Sequence, residues 1–325
     1  MSKLSLKEAW NLGPGPLTKK EYIILYLKGF LMGIADLIPG VSGGTIAFIT
    51  GIYDMLLDAV ASINNTFIKK VLSFKIVSAI GHLHIRFIVP LVFGIFTAMI
   101  TLARVMHYLI NEQTVPTWAL FFGLIAASII VIWNKLDDHF SPINLLMISI
   151  GALVAYVLVS LIPVDTPDSL WFIYLCGIIG ITAMILPGIS GSFLLLILGK
   201  YEFITGMLKN PFAEGAPLVI LIFLCGTVTG LLSFSKILNF FMKNYRVKTM
   251  AFLTGILIGS MKKVWPWKEV LESKIVRGKV RVIREANILP PELNTEVMLA
   301  AVLVVVGFFG VLYLEKKSAP KQSID

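Results

Sequence analysis

Two short stretches carry the residue types that could hold an anion. Pro39-Gly40-Val41-Ser42-Gly43-Gly44-Thr45 interrupts one apolar run, and Pro187-Gly188-Ile189-Ser190-Gly191-Ser192 interrupts another. Proline lacks a main-chain donor and glycine permits tight turns, so breaks are expected at Pro39 and Gly40 and again at Pro187 and Gly188. A helix that restarts after each break points its free N–H groups and positive dipole end into whatever space the break lines. Ser42, Gly43, Gly44 and Thr45, with Ser190, Gly191 and Ser192, are therefore candidates for binding a phosphate or carboxylate. A pair of packing kinks, where glycines let helices approach, is the plainer reading.

Charged residues inside apolar spans come next. Arg104 and Lys236 each sit within such a span. A buried cation there is costly unless it faces a partner or a cavity. Arginine suits bidentate phosphate binding and lysine a point contact, with snorkelling to the interface as the alternative. Asp36 lies three residues before the first break, and Met184 stands at the equivalent place before the second. Three roles are open for Asp36: coupling to a proton or sodium gradient, pairing with Arg104, or capping the break. Asp54 and Glu202 follow a tyrosine in each copy and are read as structural or gating carboxylates. The four histidines show no metal spacing, and no resident cofactor is expected.

These residues need a membrane to make sense. The 325 residues are 57% hydrophobic and 14% charged, with a mean hydropathy of +0.87. A soluble domain cannot hide that much apolar surface. The net charge of +9 lies mostly between apolar spans, as topology determinants do, and is not a nucleic-acid signal. No cleavable signal peptide is expected at the N-terminus, where Leu4, Leu6, Ala9 and Trp10 suit a short surface helix before Gly13-Pro14-Gly15-Pro16. Cys176 and Cys225 fall in apolar stretches and are read as packing residues.

Apolar segments fall at 22–60 and 171–206, both broken, and at 87–110, 116–133, 143–162, 217–241, 249–262 and 296–314. Each piece of the first broken segment is about 16 residues, or roughly 25 Å of helix, which barely spans a bilayer. If both broken segments are re-entrant, lysine and arginine concentrate on the side of the N-terminus. If both cross fully, the bias reverses. The re-entrant topology is therefore expected, with both termini cytoplasmic.

The halves also repeat. Gly29, Ala35, Ser42, Gly51 and Tyr53 pair with Gly177, Ala183, Ser190, Gly199 and Tyr201. Further on, Gly94, Arg104, Gly123 and Ser128 pair with Gly226, Lys236, Gly255 and Ser260. The expected fold is an all-α polytopic membrane protein of two inverted-topology repeats. Each has a re-entrant broken hairpin plus three transmembrane helices. Residues 1–21 form a cytoplasmic segment, 22–162 the first repeat, 163–314 the second and 315–325 a cytoplasmic tail. A basic connector, 263–295, falls outside and interleaves valines with cations, as a short hairpin or amphipathic stretch would; it reads either as a tolerated periplasmic loop or as an electrostatic lure for anionic head groups. Inverted repeats place a site where their broken elements meet.

The stretches IADLIPGVSGGTIAFITGIYD and MILPGISGSFLLLILGKYE resemble the two signature repeats of the domain-of-unknown-function 368 family, the polyprenyl-phosphate transporters (the PopT family). The resemblance runs from about Leu27 to Leu314. It implies a multi-pass protein of the bacterial inner membrane that returns undecaprenyl phosphate from the outer to the inner leaflet for envelope polymers such as peptidoglycan. The family's motif positions map onto Asp36, residues 39–45 and residues 187–192. Met184 departs from acid symmetry, so no acidic role passes to the second half. The expected partner is the lipid itself, with no nucleic acid, and a homodimer stays open. Two alternatives are a transporter of a small soluble anion and a membrane lipid-pyrophosphate phosphatase. The phosphatase would need an arginine in the turn and clustered carboxylates, and neither motif has them.

Overall fold

In the computed structural model the described residues are 5–38, 41–138, 140–162, 164, 166–276, 279–290 and 292–318. The expected break at Pro39 and Gly40 lies outside them. The chain opens with a short helix, α1 (Leu6–Leu12), capped reciprocally by Ser5 and Glu8. Thr18 and Glu21 cap α2 (Lys19–Asp36) in the same way.

After the break, α3 (Gly43–Ile49) has only seven residues. The chain then bends by 119° into α4 (Tyr53–Ala61). The second copy does the same. The helix α10 (Leu170–Ile185) leads to α11 (Gly191–Ile197), and a 112° bend leads to α12 (Tyr201–Lys209). The piece following each break is thus two short helices, not the single one of about 16 residues expected for the first copy. Gly51 and Gly199 sit at the bends with φ of +72° and +65°, a conformation that favours glycine.

Between the two copies lie α5 (Asn65–Leu72) and α6 (Ile76–Ile80), then the long helices α7 (Ile85–Glu112), α8 (Thr114–Asn134) and α9 (Pro142–Ser160). The second copy continues with α13 (Ala216–Asn244) and α14 (Arg246–Val264). The basic connector is an antiparallel hairpin of β1 (Lys268–Val276) and β2 (Lys279–Asn287), so the fold is not wholly α. The last helix is α15 (Thr295–Ser318). Among the described residues, five helices are long and apolar enough to cross a membrane, or up to seven if each bent pair counts as one span. Outward faces of α7, α13 and α15 expose Phe93, Ile100, Leu221, Val228 and Phe309. Such a surface suits lipid and not water.

Glycines that correspond in the two stretches make corresponding close helix contacts. Gly29 and Gly94 press α2 and α7 together so closely that a Cβ on either would lie within 2.2 Å of a main-chain oxygen, of Leu91 and Tyr26 respectively. Gly177 and Gly226 press α10 and α13 together likewise, with a Cβ 2.4 Å from the Phe223 oxygen and 2.0 Å from the Tyr174 oxygen. Gly123 brings α8 against α15, and Gly255 brings α14 against α9. A core of Ile38, Val41, Leu57, Phe87, Ile185 and Leu257 fills the centre.

Candidate functional site

The two serine–glycine turns meet in the middle of the bundle. Ser42 Oγ donates to the Met184 carbonyl at 2.8 Å and accepts from Gly44 N at 3.0 Å. Gly188 N donates to Thr45 Oγ1 at 2.8 Å. Tyr53 Oη donates to the Ile185 carbonyl at 2.9 Å. The carbonyls at the end of α10 have lost helical partners at the break, and the first hairpin supplies replacements. Ser42, Thr45 and Tyr53 are buried, and the expected free hydroxyls of Ser42 and Thr45 are engaged across the halves.

The second turn is arranged differently. Ser190 and Ser192 hydrogen-bond to each other at 2.8 Å. One hydroxyl of that pair keeps its own hydrogen for another acceptor. A Cβ on Gly191 would lie 2.2 Å from the Gly180 carbonyl, so only glycine lets α11 start this close to α10. At the first turn Asp36 Oδ1 accepts from Gly43 N at 2.7 Å. Of the three roles open to Asp36, the geometry is that of a cap. Its carboxylate already occupies the place an anion would take at α3.

Arg104 and Lys236 are not brought to the turns. Both are exposed, and each lies eight residues before its helix ends. Neither makes an ion pair or hydrogen bond among the described residues.

The two ends of α14 differ. At its N-terminal end, Arg246 Nη2 pairs with Asp54 Oδ2 at 2.8 Å, and Asp58 takes both Lys243 and Asn239 from α13. A small cavity of about 130 Å³ lies among these ion pairs. Around the C-terminal end of α14 lies a cavity of about 1370 Å³, walled by α9, the α11–α12 bend, and the hairpin. Glu202 is half-buried in its wall. Lys200, buried at the bend, pairs with Asp168 and donates to the Thr166 carbonyl at 2.6 Å. At the other bend Lys28 donates to the Thr50 carbonyl at 2.7 Å. Lys28 and Lys200 are cations inside the two broken apolar segments. The rule that singled out Arg104 and Lys236 would have found them too.

Glycine-faced helix pairs, two bent hairpins meeting centrally and an apolar exterior define a multi-pass membrane protein of the kind built from repeated broken helices. Residues 32–280 match the VCA0040-like family model, described as undecaprenyl phosphate translocase-like, and the chain belongs to that family. A polyprenyl-phosphate transporter of Vibrio cholerae serotype O1 is 40% identical over 305 residues, covering 91% of this chain and 97% of the relative. One of Staphylococcus aureus is 31% identical over 256 residues, covering 74% and 85%. No solved structure matches.

Proposed function

We propose that the protein is a flippase that returns undecaprenyl phosphate from the outer to the inner leaflet of the bacterial cytoplasmic membrane. The observation that carries this reading is the contrast between the ends: a cavity of about 1370 Å³ at one, ion-paired closure at the other. A protein halted with one side open is what alternating access requires. By the charge rule the closed end, with Lys243 and Arg246, is cytoplasmic and the open end is external. Both short helices start at the centre and run toward opposite ends, which supports an inverted repeat. The relatives named as polyprenyl-phosphate transporters support the substrate.

In this mechanism the head group arrives from the open side and reaches the second turn first, at Ser190, Gly191 and Ser192. It then passes to Ser42, Gly43, Gly44 and Thr45 as the cross-turn bonds exchange and Asp36 gives up Gly43 N. Arg104 and Lys236, on lipid-facing surfaces, meet head groups at the bundle's exterior. The prenyl chain stays in the bilayer, so only the phosphate pays desolvation. Apolar residues in the cavity wall, among them Leu161, Phe193 and Leu271, favour a lipid over a small soluble anion.

Purified protein in vesicles containing undecaprenyl phosphate tests this. Head-group accessibility from one side should equilibrate faster than in protein-free vesicles. Equal rates would refute transport.

A further inference from the structure

Beside the cavity under the hairpin lies a charge arrangement that the turns do not explain: Lys263 and Glu285 line the cavity, and Lys268 stands behind them against the Trp118 ring of α8. Lys263, in the last turn of α14, and Lys268, at the start of β1, both donate to Glu285 Oε1 at 2.8 Å. One carboxylate oxygen thus serves two ammonium groups. Lys263 Nζ also lies 4.7 Å from the centroid of the Phe193 ring, and Phe193 directly follows Ser192. Lys263 therefore links the cavity to the second turn. Beside it, Lys262 donates to Ser160 Oγ at 2.6 Å.

All three members of the triad are only partly exposed, with side-chain exposures of 20%, 14% and 30% for Lys263, Lys268 and Glu285. Two cations against one anion leave a surplus positive charge in a half-desolvated place, where charge interactions are stronger than in water. Burial, and then the neighbouring Lys263, hold the Lys268 ammonium down to about 8, with Glu285 opposing. A phosphate monoester carries nearly two negative charges and three acceptor oxygens at neutral pH, so it can serve both lysines better than one carboxylate.

We propose that this cavity is the loading site for a phosphate monoester, with Lys263 as the cavity-lining cation that receives it, Lys268 as the second cation that supports it from behind, and Glu285 as the internal anion it displaces. The inference rests on the transport reading for its biological ligand, but it is tested by binding alone.

The test uses the full chain in detergent and farnesyl phosphate as the probe, with affinity measured by calorimetry. Lys263→Gln should weaken binding about 10-fold, as loss of one charge-assisted hydrogen bond does. Glu285→Gln should tighten it several-fold, a gain that a misfolded variant would not give. Lys209→Gln, on exposed α12, controls for general charge and should change nothing. Inorganic phosphate that competes with the probe would show that the phosphate alone is read. A probe that responds to both variants without such competition would show that the lipid form is required. Either result supports the site. Unchanged affinity in both Lys263→Gln and Glu285→Gln overturns it, even if vesicles still show transport. Absent transport with the binding pattern intact would overturn the flippase reading and leave the site standing.

Discussion

The Ser42 hydroxyl lies 2.8 Å from the Met184 carbonyl, so a residue of the first turn completes the last helix before the second. The two halves are locked to each other by side-chain hydroxyls at their centre, not by apolar packing alone. Ser42→Ala strands both the Met184 carbonyl and Gly44 N. Leaving buried polar groups unpaired costs about 1–3 kcal/mol each. The melting temperature in detergent should fall by several degrees. Thr45→Ala, which strands Gly188 N, should do the same, and the double variant should be non-additive because both contacts hold the same pair of turns together. Additive losses would show two independent contacts.

Gly191→Ala should be more damaging than Gly43→Ala. The first would put a methyl 2.2 Å from a main-chain oxygen, that of Gly180. The second would put one 2.6 Å from Asp36 Oδ2, and a side chain can move. Flipping rates in vesicles should be abolished by Gly191→Ala and reduced by Gly43→Ala. The reverse order would mean that α10 and α11 separate freely.

Asp36→Asn keeps an oxygen for Gly43 N but removes the charge at the start of α3. Beside the capping seen here, coupling to a proton or sodium gradient stays open for Asp36; if it holds, transport by this variant loses its gradient dependence while the fold survives. Full gradient dependence in the variant would assign Asp36 to capping alone.

The hairpin should respond to pH in two opposite ways. Lys268 is depressed to about 8 from 10.5, faced by Lys263 from α14, Glu285 from β2 and the Trp118 ring of α8. Between those values the undocked chain holds a proton that the docked hairpin has released. Docking therefore strengthens as pH rises through the window. Phosphate loading should weaken over the same rise, because Lys268 becomes neutral. Hydrogen exchange of the strands and farnesyl phosphate affinity would measure the two. Lys268→Gln should flatten both.

Much of this architecture was legible in the residues. The doubled PG-x-S-G motif marks both turns because few other residues can break a helix inside lipid. The glycines at 29, 94, 177 and 226 were visible as a repeat, and they turn out to set the same helix contacts in each half. What was not legible depends on rotation about a helix axis. Arg104 and Lys236 share a repeat position, but nothing in spacing says that this face points outward. Nor does sequence show that Ser42 and Thr45 spend their hydroxyls on the other half. The bend after each short helix is not legible because Gly51 and Gly199 lie within apolar runs that read as continuous helix. The triad of Lys263, Lys268 and Glu285 depends on strand register, which the charge pattern of 263–295 left undefined.

Closure at the Asp54–Arg246 end offers the most direct test of transport by alternating access. With Cys225 replaced by alanine, Asp54→Cys and Arg246→Cys can be joined by a short cleavable bis-maleimide and then released. Undecaprenyl phosphate flipping in vesicles should stop while the link is intact and return when it is cut. Flipping at full rate through the intact link would contradict the account.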